Sequence, residues 1–470
     1  LLASVIGVSI RIKQTNIPRA TLCVLLAAAC LSAAAQPAPT LDETKAALDR
    51  ALTAMAAQQR NGGWGRSVSA DGAVLRGEHD LIREGWITLQ PPATPTVAGV
   101  YLRAAKLLRG DPWEGVVIKA KDALLALQTT NGGFPHEGDP SGEPRSSGTF
   151  DDDTTTSCIN FLLDWAQYSE KPGALDPVKR GAEFIIAAQT ACGGWPQYFP
   201  APKRGYQRYI TLNDNVVRNV ISTLLRLHRE PAIPGALESA KRGGECLIKL
   251  QGGEGEAIWA QQYDPDTLEP AWARNFEPPG YSPAESIGAM DALVELYLET
   301  GEDRFLEPLP KAFAWYDAQE RLPNGKLARL YEPGTHRPLY GRRDKPEKVY
   351  DFEQATTGYG WQGEWYPHAA KAAYERIAAA GRDAVLAERA EARAQKHSAA
   401  ELAPKAAEAI AAMNADGLWT APTTDEEKKF LRDAGKDENL PMIPSGEFCQ
   451  NANRLLDYYE ALLREQEKAS

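Results

Sequence analysis

The chain has 470 residues, 43% hydrophobic and 24% charged, enough apolar matter for a sizeable core in one large domain or in two to three ordinary ones. A formal net charge of −11 argues against a nucleic-acid partner, which calls for a basic face. It also means that an acidic substrate would have to be met by arginines and lysines gathered into one cleft, helped by a bound cation.

In chain order, the first segment reads as an export signal. Arg11, Lys13 and Arg19 precede the apolar run 21–35, and Ala33, Ala34 and Ala35 before Gln36 form a small-residue cleavage site. The run is short for a bilayer span, so 1–35 is expected to be a signal peptide, with a secreted or periplasmic product and no stable membrane insertion. Cys30 after three alanines leaves lipid anchoring as the alternative. Of the four cysteines beyond this segment, Cys158, Cys192, Cys246 and Cys449, none has close metal-ligand spacing. They are expected as small buried side chains, with one bridge possible.

From Leu41 on, the pattern is helical and repetitive. Glycine pairs recur as Asn61-Gly62-Gly63-Trp64, Asn131-Gly132-Gly133-Phe134, Cys192-Gly193-Gly194-Trp195 and Gln251-Gly252-Gly253, with a late echo at Asp416-Gly417-Leu418-Trp419. The four glycine pairs each follow an amphipathic stretch that ends in Gln, and glycine supplies the positive φ that closes a helix. Helical periodicity resumes over 154–169, 214–228, 282–300, 367–380 and 385–412, while 66–100 and 135–150 read as irregular. Strand-like alternation is scarce. The expected class is all-α, an α/α toroid built from repeated helical hairpins with Gly-rich turns lining a cleft; an open solenoid is the competing architecture. No convincing linker interrupts 36–470, which reads as a single domain.

Four segments hold polar residues beside turn chemistry. Asp151-Asp152-Asp153 opens an apolar helix, either as a dipole-stabilised N-terminus or as a hard-cation site. Asn213-Asp214 precedes another helix, as a cap or as a site, and Arg218 stands four residues on, a spacing that would pair it with Asp214. The stretch 259–277, with Arg274, is too polar and proline-rich for a core element. A basic run holds Arg337, Arg342, Arg343, Lys345 and Lys348.

These segments resemble the family 10 pectate lyases, secreted enzymes with an α/α toroid. The matching pieces are the Asn-Gly-Gly-Trp opening, the Asp151–Asp153 segment, 193–200, 210–219, and above all 257–286, with echoes around Arg337 and at 358–361. The resemblance implies a polygalacturonate substrate cleaved by calcium-assisted β-elimination, most simply by a monomer. It implies Arg274 as the base, and Asp151, Asp153 and Asp214 as metal-site and cleft carboxylates. Lys348, Arg337 and Arg218 would hold substrate, with Trp195 and Tyr209 as sugar-stacking rings. Removing a proton beside a carboxylate builds charge on its oxygens, which Ca²⁺ and cationic side chains stabilise. An arginine base must be uncharged when it acts, so nearby cations and alkaline conditions are expected to favour it. The chain departs from the family where Ala355, Thr356 and Thr357 replace a Glu-Arg-Arg run, and where Asp152-Asp153 replaces Asn-Gly. A lyase for another uronan, a glycoside hydrolase on the same toroid and an inactive galacturonan-binding homologue are the alternatives.

Overall fold

A computed structural model describes residues 37–77, 82–108 and 112–469. The expected signal peptide 1–35 and Cys30 lie outside the described residues. Fourteen α-helices are present among the described residues. They are α1 Leu41–Ala56, α2 Thr94–Leu107, α3 Trp113–Leu127, α4 Thr154–Ser169, α5 Asp176–Ala187, α6 Val216–Arg229, α7 Ala236–Leu250, α8 Pro283–Thr300, α9 Leu309–Ala318, α10 His368–Ala380, α11 Arg382–Ala394, α12 Ala399–Ala412, α13 Asp425–Asp433 and α14 Ser445–Ala469.

Alternate helices form an inner row: α14 packs on α2, α2 on α4, α4 on α6, α6 on α8 and α8 on α10. The others back them from outside, α1 and α12 on α14, α3 on α2, α5 on α4 and α7 on α6. The connections are unequal. Those from an outer to the next inner helix are long and carry the short strands, whereas those from inner to outer helices are brief. All the long loops therefore gather at one end.

The glycine turns explain how each hairpin meets the next. The φ values of Gly62, Gly132, Gly193 and Gly417 are +86°, +97°, +112° and +83°. A Cβ on any of them would run into a backbone carbonyl of the following outer helix: Lys119, Arg180, Arg242 and Arg50 respectively. The last of these pairs joins the turn after α12 to α1, so the sixth hairpin is related to the first as each earlier one is to its successor. The ring closes on itself, which makes the fold an α/α toroid and removes the open solenoid. The glutamine before each of the first three turns locks the same joint. Gln59 Nε2 donates to the carbonyls of Gly62 and Val116, Gln128 to Gly132 and Pro177, and Gln189 to Gly193 and Ser239, all at 2.6–3.1 Å. Where a turn carries a tryptophan, the ring is folded back under it; the second turn has Phe134 instead. The indole N–H groups of Trp64, Trp195, Trp259 and Trp419 donate to Met55, Ile185, Leu247 and Ala409 carbonyls at 2.7–3.0 Å.

Two expectations change in detail. The stretch 385–412 is two helices, because Ser398 and Glu401 build a capping box that starts α12 afresh. α11 instead runs along the far end of the ring. Arg382 at its start donates to the Leu298 and Glu299 carbonyls at the end of α8, and the residues after it meet α14 through Lys396–Glu460 and Arg464–His397. Cys192 and Cys246 form a disulfide that ties the third glycine turn to α7, while Cys158 and Cys449 are buried thiols. No helix among the described residues is long and apolar enough to cross a membrane.

Candidate active site

Two of the long loops enter their inner helices through the same backbone kink. Before α4, Asp152 and Asp153 take φ of 48° and 61°; before α6, Asp214 and Asn215 take 51° and 59°. Asp and Asn tolerate this left-handed region better than most residues, yet such pairs still cost conformational energy that the surroundings must offset. The neighbouring loop offsets it in the same way twice. The Phe150 amide donates to the Gln197 carbonyl while Gln197 Nε2 reaches Asp151 Oδ1 at 2.7 Å. The Leu212 amide donates to the Gln261 carbonyl while Gln261 Nε2 lies 3.3 Å from Asn213 Oδ1. Asp151 and Asn213 are therefore equivalent positions of the repeat, as are Asp152 and Asp214.

The kink fans the three aspartates of 151–153 apart. Asp151 and Asp152 gather with His136, one ligand atom from each lying within 4.8 Å of the others. Gln90 Nε2 holds Asp152 at 2.6 Å, and His136 Nε2 lies 3.8 Å from Asp151. Two carboxylates aimed at one point suit a hard divalent cation, which takes oxygen ligands; the imidazole adds little for such an ion. Asp153 turns away from this pair. Its carboxylate bonds the Thr156 hydroxyl, and burial raises its pKa against the opposing pull of that bond and of Arg218.

Asp214 completes the acidic arc. Its carboxylate keeps contact with water, but protein crowds it closely enough that burial, then Asp152 and Glu285, raise its pKa to about 7; Arg329 and Arg274 pull the other way. Behind it, Gln261 Nε2 reaches Tyr359 Oη at 3.0 Å, and Arg329 pairs with buried Glu285. The guanidinium of Arg329 lies 5.1 Å from the Tyr359 ring. The Tyr359 hydroxyl then donates to Glu277 Oε1 at 3.0 Å, which leads to Arg274.

Arg274 is half-buried and held by Glu277 through three bonds: its amide at 3.2 Å, Nε at 2.7 Å and Nη2 at 2.5 Å. Nη1 is left for another partner. Burial pulls the guanidinium's pKa down, but Glu277 outweighs it and the net shift is upward. The nearest partner is an anion, the opposite of the cationic surroundings expected for a resting neutral base. A second cation is close, since Arg343 and Arg274 lie 4.3 and 4.8 Å from the Phe276 ring. Tyr206 links the halves of the site. Burial raises its pKa, and its phenol feels Arg274 first, then Asp151 and Glu277.

Other expected residues fall elsewhere. Trp195 is fully buried beneath its turn, so its ring has no face for a sugar. Tyr209 is half-buried, with Arg208 5.7 Å from its ring. Arg218 does not pair with Asp214. The left-handed kink puts Asp214 outside the helix, so the spacing of four is not helical there, and Arg218 instead faces Asp153 and Asp291. Lys348 pairs with Glu332 at 3.1 Å, and Arg337 lies 4.0 Å from the ring of Tyr350, which also bonds Glu332. These two form a cluster of their own, beside the strand Pro338–Gly341 that backs Phe276. Sequence reading missed His136, Gln197, Tyr206, Glu277, Arg329 and Tyr359 as site residues. Gln197, Glu277 and Tyr359 lie inside recognisable motifs, whereas His136 and Arg329 had no local signal.

No curated protein matches the chain significantly in sequence. Among solved structures, a mutant family 10 polysaccharide lyase from Cellvibrio cellulosa in complex with trigalacturonic acid is 21% identical, covering 61% of this chain and 98% of that one, with a TM-score of 0.47. A family 10 polysaccharide lyase from the same organism is 22% identical over 65% of this chain and 99% of its own, at 0.47. A family 76 α-mannanase from Bacteroides thetaiotaomicron is 10% identical over 91% and 97%, at 0.45. The family model described as pectic acid lyase matches residues 136–327, the stretch that carries His136, the aspartates, Arg274 and Glu285. Over that stretch, well under half of its length, the chain is similar to the pectic acid lyase family.

Proposed function

We propose that the protein is a secreted pectate lyase that cleaves polygalacturonate by β-elimination. The observation that carries this reading is the juxtaposition of an acidic pair, Asp151 and Asp152, with a guanidinium, Arg274, joined to it electrostatically through Tyr206 and Asp214. Asp151 and Asp152 would hold Ca²⁺, with Asp214 beside them. When bound, the ion supplies Lewis-acid stabilisation of charge developing on the substrate carboxylate.

The residues of the chain do the rest. Arg274, whose side chain is 40% exposed, takes the proton from C5 of the galacturonate ring. The electron pair forms the C4–C5 double bond, the C4–O bond breaks, and the departing oxygen takes a proton from solvent. Glu277 fixes the arginine's position but also keeps it charged, so proton abstraction requires conditions that release a proton from the guanidinium. Arg343, the bound cation and alkaline solution all act in that direction. Arg343 also stands where a substrate carboxylate can be received, beside the base rather than in the 355–357 segment where the family carries its arginines. Lys348 and Arg337 would meet the substrate farther along the groove.

The test is product formation. Purified protein with polygalacturonate and Ca²⁺ at alkaline pH is expected to give an ultraviolet-absorbing unsaturated uronide, lost with chelator and in Arg274→Ala. A variant that folds as the wild type does and still turns over at the wild-type rate removes Arg274 from the base role.

A further inference from the structure

The segment before residue 93 precedes the family-matched stretch, yet it runs along the same end of the ring as the carboxylates. Ile87 and Thr88 pair antiparallel with Gly138 and Glu137, and the Leu89 amide donates to the His136 carbonyl at 2.7 Å. One residue on, Gln90 holds Asp152. Upstream, the Trp86 amide closes a turn on the Arg83 carbonyl at 3.0 Å. The Trp86 indole carries two guanidinium groups, with Cζ of Arg83 4.9 Å and Cζ of Arg145 5.0 Å from the ring centroid. Arg145 comes from the neighbouring loop, anchored there by the Thr130 amide on its carbonyl at 2.9 Å.

An indole face attracts each guanidinium and orders it, but two like charges on one ring repel. Among the described residues neither arginine makes an ion pair. A cavity of about 300 Å³ opens beside Trp86 and Arg145, lined also by Gly138, Asp139, Glu143 and Pro144. Asp139 is not the missing counter-ion, because its carboxylate closes its own turn on the amide and hydroxyl of Ser141 at 2.9 and 2.7 Å. Glu143 stands exposed. What the pair lacks is an anion with a flat, two-oxygen edge, and a guanidinium receives a carboxylate in that geometry. From Trp86 to Gln90 the extended chain covers about 13 Å, so a polymer engaged at Asp152 reaches the pair within several sugar rings.

We infer that Arg83 and Arg145, ordered on Trp86, form an outer subsite that grips carboxylates of the polyuronate chain away from the scissile bond. This rests on the substrate class given under the proposed function. The test uses the full chain with Arg83→Gln and Arg145→Gln combined, and separately Arg83→Glu, which leaves the Thr130-anchored loop untouched. Retention in a gel containing polygalacturonate is expected to weaken in both, while retention by fully methyl-esterified pectin stays as in the wild type. The polymer KM is expected to rise several-fold with kcat little changed, and kinetics on the galacturonate trimer to stay as they are. Unchanged retention and polymer KM in both variants overturn the subsite. Retention reads binding without turnover, so a wild type that binds through these arginines but yields no unsaturated product would sink the lyase mechanism and leave the subsite standing.

Discussion

Replacing Glu277 by Gln tests whether Arg274 works as a base. The substitution keeps an oxygen and an amide at the same place but removes the charge that holds the guanidinium protonated. Opposite charges about 4 Å apart attract by about 4 kcal/mol at the effective dielectric near a protein surface. That corresponds to about 3 pKa units. Arg274 has 40% of its side chain exposed, so solvent screening reduces the effect to about 1–2 units. If neutral Arg274 takes the C5 proton, the alkaline rise of kcat/KM on polygalacturonate at saturating Ca²⁺ moves down by that amount. The variant is then faster than the wild type at moderately alkaline pH. Thermal melting of both proteins over the same pH range shows whether the fold is intact. A profile that stays in place while activity falls uniformly would refute the reasoning: Arg274 would then be acting as a fixed cation.

Asp214→Asn is expected to stabilise the calcium-free protein by about 1–2 kcal/mol at pH above 7, after discounting for the carboxylate's contact with water. The sign follows from its raised pKa: the ionised carboxylate costs stability above about 7, and the cost fades as pH falls toward the ordinary value of 3.8. Denaturant unfolding in chelator at two pH values reads this, and an equal gain at acidic and alkaline pH contradicts it. Cys246→Ala opens the disulfide that spans a separation of 54 residues, and on chain-entropy grounds it should cost about 4 kcal/mol of stability. Denaturant melts with and without reductant measure it, and a variant as stable as the oxidised wild type rules the bridge out as a staple. Trp195→Ala should cost about 3–5 kcal/mol as a core cavity. The milder Trp195→Phe should leave the substrate KM unchanged, and a large KM rise there would return the ring to the sugar. Asp152→Asn should raise the Ca²⁺ concentration needed for half-maximal activity, and an unaltered requirement removes Asp152 from the ion's ligands.

The ring was legible because its rules are local. Helical periodicity marked most of the hairpins, and three of the four glycine pairs marked joints, since only a residue without a Cβ lets the turn meet the next helix's carbonyl; Gly252 instead meets the Glu256 carbonyl of its own loop. α11 was not legible. Its apolar spacing resembles that of its neighbours, and only Arg382 and the residues after it reveal that it runs along the far end. At the site, the aspartates and Arg274 stood out as motifs, but their directions did not. Two left-handed residues send Asp152 to His136 and Asp153 to Thr156. Glu277 was readable as part of a motif, while its grip on Arg274 depends on how residues 274–277 turn back on themselves. His136 and Arg329 sit in bends beside short strands, outside the aspartate and Arg274 motifs, where nothing around them announces a site.

Elimination and hydrolysis on a helical ring differ in one atom, and that atom can be weighed. Polygalacturonate digested by the purified protein with Ca²⁺ in heavy-oxygen water gives, by elimination, an unsaturated product with no label at the new non-reducing end and one water lighter than a hydrolytic fragment. Mass spectrometry of the shortest oligomers is expected to show that product with its mass independent of the solvent isotope, apart from slow exchange at the reducing end. Saturated fragments that take up heavy oxygen with each cut would mean that water, rather than a carbon-bound proton, is what this site activates.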